Sequence, residues 1–515
     1  MNDINFKGIF DQTISNEPNK VLYEYYTKGE IVEITYKQLK DKIYGMALEL
    51  EKDLTDIPKE SWVALQADNN PWNMAIIWAL LRQNMNVILV DIESRITDEI
   101  IRHSGAKAIV TSKDLFVHGI VNIDIDKIRL CNYIEYVPSN DKFANKIALC
   151  TSGTSGTPKL YVHTGKQISA HIHNVLERYK QTEKLNYNTM NKQTKKTMSI
   201  FKFHHIASVF LNFMYPYIGG TIVYTDTLRI KILLDLINKQ KVQNVYAVPM
   251  IWDSMLKYIS GTQGDVEPET IRRVFGENLK LALMGAAKAT AQTVEVLNKA
   301  GVFTTSAYGM TEIGSLTSNI DKNAESRNRG IVGRIGSNFY DFKIKKADGN
   351  LVTSGEGELL IRGDVVYHSQ LIDGVEIERN SSEYFCTGDM VKIEDHELTI
   401  LGRVKDVIVN SSGENIYIDQ LESEFHEIKD EGMDFTIIGL EDEPVMIVYV
   451  AERNNLKNIT EKIIEINNSL EIYTRITKLY ISHDSIEKTS TGKIKRNEIA
   501  KRILSNDKSI EFVKI

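Results

Sequence analysis

The chain repeats a strand–helix–strand order, and that order restricts the folds open to it. Val87–Val90 is an apolar run, Thr97 stands as a helix N-cap with Asp98 and Glu99 in the first turn, Gly105 follows the helix, and Ala108–Val110 is apolar again. The same order recurs at Leu281–Met284, Ala291–Lys299 and Val302–Ser306. Such repetition implies an α/β fold, with parallel sheets covered by helices. At 515 residues the chain exceeds one domain of common size, so more than one lobe is expected. From about Asp341 the pattern changes. Phe342–Lys345, the turn at Asp348-Gly349 and Glu358–Ile361 read as antiparallel strands of a small β subdomain. After Gly402 a further unit begins, with a hairpin (Thr436–Leu440 and Val445–Val450), a helix near Ile459–Asn468 and a strand at Lys478–Ile481. Its residues suit a separate small α+β domain.

Between Leu149 and Thr164 the sequence reads L-C-T-S-G-T-S-G-T-P-K-L-Y-V-H-T. The apolar run Lys146–Cys150 reads as a strand that delivers the chain into a loop. Glycines at Gly153 and Gly156 admit backbone conformations that let successive N–H groups point into one concavity. Thr151, Ser152, Thr154, Ser155 and Thr157 add hydroxyls, and Lys159 adds a positive charge. That chemistry suits the phosphates of a nucleotide. The Walker pattern does not apply, because Pro158 precedes the lysine and Leu160 follows it.

Further motifs follow in order. They are Met284-Gly285-Ala286, Ala307-Tyr308-Gly309-Met310-Thr311-Glu312 after an expected strand, Thr387-Gly388-Asp389, Gly402-Arg403-Val404-Lys405-Asp406, Ser412-Gly413-Glu414-Asn415-Ile416 and Lys488-Thr489-Ser490-Thr491-Gly492-Lys493. Together with the loop they resemble the adenylate-forming superfamily: acyl-CoA synthetases, aryl- and fatty-acid ligases, and adenylation domains of peptide synthetases. The resemblance covers nearly the whole chain. It implies an N-terminal adenylation domain over residues 1–402 and a mobile C-terminal domain over 403–515, pivoting near Lys405.

The resemblance also implies roles. Thr151, Ser152, Gly153, Thr154, Ser155, Gly156, Thr157 and Lys159 would surround the β- and γ-phosphates of ATP. Glu312 would hold Mg²⁺, and a hard cation does favour a carboxylate oxygen. Thr311 would bond the α-phosphate, while Tyr308 on one side and Gly285-Ala286 on the other would enclose adenine. Asp389 would accept from the ribose hydroxyls, as one carboxylate can from two adjacent O–H groups, and Arg403 would face the same sugar. Lys493 would bridge carboxylate and phosphate oxygens during adenylation, and Gly413 would line the approach of a thiol once Lys493 swings away. Six positions depart from the usual pattern: Leu160 replaces a glycine, Gly165 a histidine, Ile418 and Gln420 a Pro and a Glu, and Glu487-Lys488 a Pro-Arg pair.

Phe201–Phe210, F-K-F-H-H-I-A-S-V-F, aligns with the segment that lines the acyl pocket in the family. Ile206 stands where amino-acid-activating domains carry an aspartate, and an ammonium buried there unpaired would cost several kcal/mol. The expected substrate is therefore a fatty or aryl carboxylic acid, not an amino acid, with His205 as the gate of its pocket. Phe210, Phe213, Met214, Tyr246, Val248 and Met250 are read as pocket wall or core. The expected acceptor is coenzyme A, with the phosphopantetheine of a separate acyl carrier protein as the alternative. Transfer to a non-thiol acceptor and a non-catalytic nucleotide-binding regulator are further readings.

Other partners are disfavoured. The net charge of −7 carries no basic block that would suit nucleic acid. The best apolar stretch, Met74–Leu81, is too short for a membrane span. The N-terminus lacks the basic region and apolar core of a signal peptide, and Cys131, Cys150 and Cys386 share no metal-ligand spacing and make no disulfide framework. A cytoplasmic location is the expectation.

Overall fold

The structure is a computed structural model that describes residues 4–94, 97–113, 117–133, 142–151, 159–181, 196–285, 290–319, 331–410, 414–425, 428, 434–449, 456–488 and 494–513. The chain forms two compact units. The first comprises Met1–Phe342, Ile361–Phe385 and His396–Leu398, and the second Lys343–Leu360, Cys386–Asp395 and Thr399–Ile515.

Among the described residues the first unit holds two eight-stranded sheets. One runs in the order Gly314–Ser318, Phe303–Met310, Leu281–Met284, Asn244–Ala247, Lys196–Ser199, Thr221–Thr225, Val21–Thr27, Glu30–Thr35. Its inner strands pair in parallel, and each edge pair is antiparallel. The other runs Val375–Glu378, Ser369–Ile372, Lys159–Thr164, Lys146–Thr151, Asn86–Asp91, Trp62–Ala67, Ala108–Thr111, Val121–Asp124. It is parallel from Lys146–Thr151 onward and antiparallel before it. The repeated strand–helix–strand order thus yields parallel sheets, as the sequence implies.

Side-chain alternation divides each strand between two cores. Val63, Leu65, Val87 and Leu89 of one sheet meet Ile222, Tyr224 and Tyr246 of the other in a central core, together with the helices Phe6–Ile14, Trp72–Arg82 and Ile206–Tyr217. Ala64, Ile88 and Val90 face outward, beneath Ile100 and Ile101 of the helix Thr97–Ser104. Val223, Val245 and Ala282 likewise face a separate layer with Trp252 and Phe275. Strands buried on both faces must be apolar at every position, which explains runs such as Val87–Val90.

Three expectations change in detail. Thr97 is the first residue of its helix, and its hydroxyl is engaged by Ser94 O and Gln66 Nε2 at 3.3 and 2.9 Å, so it is not the cap. Lys159 opens a strand, opposite Thr151, and does not end a loop. The strand read as Val302–Ser306 runs from Phe303 to Met310, so Tyr308 and Gly309 lie within it; pairing with Gly314–Ser318 extends it.

In the second unit, the parts Gly355–Leu360, Cys386–Glu394 and Thr399–Arg403 of three strands lie side by side in a small sheet. A four-stranded sheet follows, ordered Asp434–Leu440, Glu443–Tyr449, Lys478–Ser482, Ile510–Val513. Phe435, Ile437, Met446 and Val448 pack with Ile459 and Ile463 of the helix Leu456–Ser469. Ile438, Val445 and Ile447 pack on the opposite face with Ile499 and Ile503 of the helix Arg496–Leu504. The hairpin turns on Glu441-Asp442, both at positive φ (53° and 61°), the geometry of a two-residue turn that follows strand twist.

Phe213 is 1% exposed, with its ring 5.1 Å from Trp78 and 5.4 Å from Phe6. Phe213→Ala should lower stability by about 3–5 kcal/mol, read as a lower urea midpoint at unchanged slope.

Candidate active site

The strands Lys146–Thr151 and Lys159–Thr164 pair antiparallel, with Thr151 opposite Lys159 at the end of the ladder. This pair closes the base of the hydroxyl-rich loop. Lys159 is exposed. Ser152, Gly153, Thr154, Ser155, Gly156 and Thr157, like Ala286, Gly413 and Lys493, lie outside the described residues.

A tight turn joins Phe303–Met310 to Gly314–Ser318 and carries Thr311 and Glu312, both half-buried. Its backbone fits only glycine at two points. A Cβ on Gly309 would lie 2.0 Å from the Gly314 carbonyl oxygen, and one on Gly314 (φ +56°) would lie 2.3 Å from Cε1 of His171. Neighbouring groups then hold the turn by its carbonyls. His163 Nε2–H donates to Thr311 O at 2.8 Å, the Tyr367 N–H donates to Glu312 O at 2.8 Å, and Asn174 Nδ2 donates to Ser315 O at 3.1 Å. A carbonyl only accepts, so Nε2 carries the proton of His163. Burial pushes His163 down to about 4, which keeps the ring neutral near neutral pH. The Tyr161 hydroxyl stands beside the Glu312 carboxylate; burial pushes its pKa up, and that carboxylate raises it further.

The remaining groups of this unit gather where parallel strands end. Ser199 pairs with Tyr246, Ala247 with Met284, and Met284 with Ser306. Phe201, Gly285 and Tyr308 therefore sit just past one edge, the carboxyl ends of the strands, where open α/β sheets place their ligands. Gly285 faces Phe201: a Cβ there would lie 3.7 Å from Cζ of that ring. Phe201 in turn stacks on His205, with centroids 5.6 Å apart and planes at 16°. His205 caps the helix Ile206–Tyr217, its Nδ1 accepting from the Ala207 N–H at 3.3 Å.

Asn69 anchors this segment by accepting from the Phe203 N–H at 2.7 Å, and Lys202 Nζ reaches Asp91 and Glu93 at 3.0 and 2.6 Å. His204 Nε2 lies 3.7 Å from Asp91, so His204 belongs to this anchor. Ile206 is buried. Phe210, Phe213, Met214 and Tyr246 are central core, and Val248 packs against it. Met250 is 66% exposed, so it is neither core nor pocket wall.

Within the second unit Asp389 and Arg403 come together. Arg403 Nε lies 2.8 Å from Asp389 Oδ1, and Asp389 is buried. The Asp389 N–H donates to Thr387 Oγ1 at 3.1 Å, and Thr387 Oγ1–H donates to Leu359 O at 2.8 Å. These bonds fix the carboxylate on a rigid strand. Lys405 is exposed in the short 3₁₀ turn Val404–Asp406 that directly follows.

A family profile described as AMP-binding enzyme matches residues 10–369. The chain belongs to the AMP-binding enzyme family. It is 31% identical over 242 residues to a 2-succinylbenzoate–CoA ligase of Staphylococcus epidermidis, which covers 45% of this chain and 48% of that protein. A ligase of the same name from Staphylococcus aureus is 26% identical over 310 residues, covering 59% of this chain and 58% of that one. The chain thus spans about half the length of the curated relatives it matches. Among solved structures, the O-succinylbenzoate coenzyme A synthetase of Bacillus subtilis, in complex with ATP and magnesium ion, superposes with a TM-score of 0.77 at 19% identity, over 96% of this chain and 99% of that one. That likeness shows the shared fold.

In this AMP-binding enzyme the structure unites Thr311 with Glu312 on one turn, Phe201 with His205 and Gly285, and Asp389 with Arg403. Sequence reading missed Tyr161, His163, Asn69 and Tyr367. The first two left a signal: a tyrosine and a histidine at alternate positions of an otherwise apolar strand, L-Y-V-H-T.

Buried His163 at about 4 and His171, which burial and nearby Arg178 hold well below its usual value, are neutral in the folded state. The unfolded chain binds their protons first as pH falls. Stability should therefore be full above pH ~6.5 and drop as pH falls toward ~4, by about 3 kcal/mol for His163 alone. Urea denaturation at stepped pH checks this, and His163→Gln should flatten the acid slope.

Proposed function

We propose that this chain joins a carboxylic acid to AMP at the expense of Mg·ATP and then transfers the acyl group to the thiol of coenzyme A. The observation that carries the reading is the Thr311–Glu312 turn, held by its main chain beside the strand that emerges from the hydroxyl-rich loop. Membership of the AMP-binding family and relatives named as acid–CoA ligases support it.

The residues suit such chemistry. One carboxylate on an accessible turn is what Mg²⁺ commonly takes from a protein, its other ligands being phosphate oxygens and water. Glu312 would hold the ion, which neutralises phosphate charge when bound. Thr311 would bond the α-phosphate, and Lys159 with residues 151–157 would hold the β- and γ-phosphates. Tyr308 and Gly285-Ala286 would enclose adenine, and Asp389, steadied by Arg403, would take the ribose hydroxyls. A substrate carboxylate oxygen attacks the α-phosphorus, the bond to the bridging oxygen breaks, and pyrophosphate leaves. Lys493 would neutralise charge at that step. In the second step the thiol sulfur attacks the acyl carbonyl, its proton passes to solvent, and AMP leaves with the bonding pair. Residues 403–515 would pivot near Lys405 between the steps, withdrawing Lys493 and bringing Gly413 to the thiol's path.

Relatives named for 2-succinylbenzoate support an aryl acid as substrate, and buried Ile206 disfavours amino acids. His205, stacked on Phe201, would gate the acyl pocket. Acid-dependent exchange of labelled pyrophosphate into ATP, run over aryl, fatty and amino acids, should respond to an aryl acid, and no exchange with any acid would overturn the reading. Mass spectrometry of the product formed with coenzyme A or with carrier proteins then identifies the acceptor.

Two variants separate the steps. Lys493→Ala should lose adenylation by about a hundredfold or more while retaining thioester formation from supplied acyl-AMP. Lys405→Pro should spare adenylation and slow thioester formation, since the ring fixes the backbone dihedral at the pivot.

A further inference from the structure

The strand Lys159–Thr164 begins at the base of the phosphate-holding loop and places two polar side chains, Tyr161 and His163, on one face, since alternate residues of a strand point the same way. Both reach the same turn. The Tyr161 hydroxyl stands beside the Glu312 carboxylate, and His163 Nε2–H donates to the carbonyl of Thr311 at 2.8 Å. We propose that Tyr161 and His163 are positioning residues that hold the Thr311–Glu312 turn in fixed register with the loop leading into their strand, Tyr161 by orienting the Glu312 carboxylate and His163 by fixing the Thr311 backbone.

The surroundings restrict each side chain to one task. Tyr161 is 4% exposed, and its ring packs edge-on against Tyr367 at 4.9 Å. Tyr367 closes the other side of the turn by donating its N–H to Glu312 O at 2.8 Å. Gln370 stands directly opposite Tyr161 on the paired strand Ser369–Ile372, beside the same hydroxyl. A Gln370 amide donating to that hydroxyl would direct its proton to Glu312. His163 is fully buried, and its Nδ1 meets no partner among the described residues, so the bond to Thr311 is its polar contact there. Packing alone would be served as well by Phe and Leu, without the cost of burying polar atoms. The polar atoms are therefore placed for the turn.

This inference rests on the reading of Glu312 as the Mg²⁺ ligand, and its test separates the two. Mg²⁺-dependent binding of ATP, followed by calorimetry, needs no acid and no turnover. In Tyr161→Phe the Mg²⁺ concentration for half-maximal ATP binding should rise about tenfold, the usual worth of a hydrogen bond to a charged group, with an unchanged melting temperature. His163→Leu should lower kcat of pyrophosphate exchange about tenfold at unchanged KM for ATP. His163→Gln, which keeps a donor at the position of Nε2, should restore most of that rate. Unchanged Mg²⁺ dependence in Tyr161→Phe, or a His163→Gln variant no better than His163→Leu, overturns the proposal. If wild-type protein binds Mg·ATP yet exchanges with no acid, the proposed reaction fails while the calorimetric comparison still decides the role of Tyr161.

Discussion

Burial on both faces is the constraint on which the first unit depends. A parallel strand covered by helices has no wet side, so polar function cannot sit along its length. It is displaced to the strand ends. Phe201, Gly285 and Tyr308 stand past the ends of neighbouring parallel strands, and the Thr311–Glu312 turn begins three residues after Tyr308. The central core holds these ends at fixed spacing, because Phe6, Trp78 and Phe213 interlock between the two sheets. Packing far from the chemistry thereby sets the geometry of the site.

Antiparallel additions refine that edge. Lys159–Thr164 turns back against Lys146–Thr151, and Gly314–Ser318 turns back against Phe303–Met310. Each reversal brings a loop with chemical groups to the edge of a sheet. The two hairpins are then tied to each other through His163. Fixing the turn through backbone carbonyls leaves the hydroxyl of Thr311 outside these bonds.

Much of this was legible because it is local. Apolar runs, turn glycines and the order of motifs report backbone class and the likeness to adenylate-forming enzymes, and the strands at Asn86–Asp91, Leu281–Met284 and Asp434–Leu440 lie where the runs stand. What was not legible depends on partners distant in sequence. Thr97 has the chemistry of a cap, but Gln66, thirty-one residues away, uses its hydroxyl. Met250 is apolar, yet it sits on the exposed side of the first turn of its helix Pro249–Gln263. Tyr367 acts through its main-chain N–H, which every residue but proline possesses, so no residue type could have marked it.

The departures from the family pattern have physical reasons of the same kind. Gly165 stands where a histidine is usual, and a Cβ there would lie 2.2 Å from the backbone nitrogen of Phe6. The N-terminal helix Phe6–Ile14 thus comes down on the start of the helix Gly165–Gln181, and Asn145 Oδ1 accepts from both the Phe6 N–H and the Gly165 N–H, at 3.3 and 3.2 Å. Leu160, in place of a glycine, is 1% exposed in the layer beneath Ile100 and Ile101. Both residues pack closely around the strand Lys159–Thr164. Two residues before Gly165, His163 is buried and donates to the Thr311 carbonyl within a dry interior, where a hydrogen bond is least weakened by competing water.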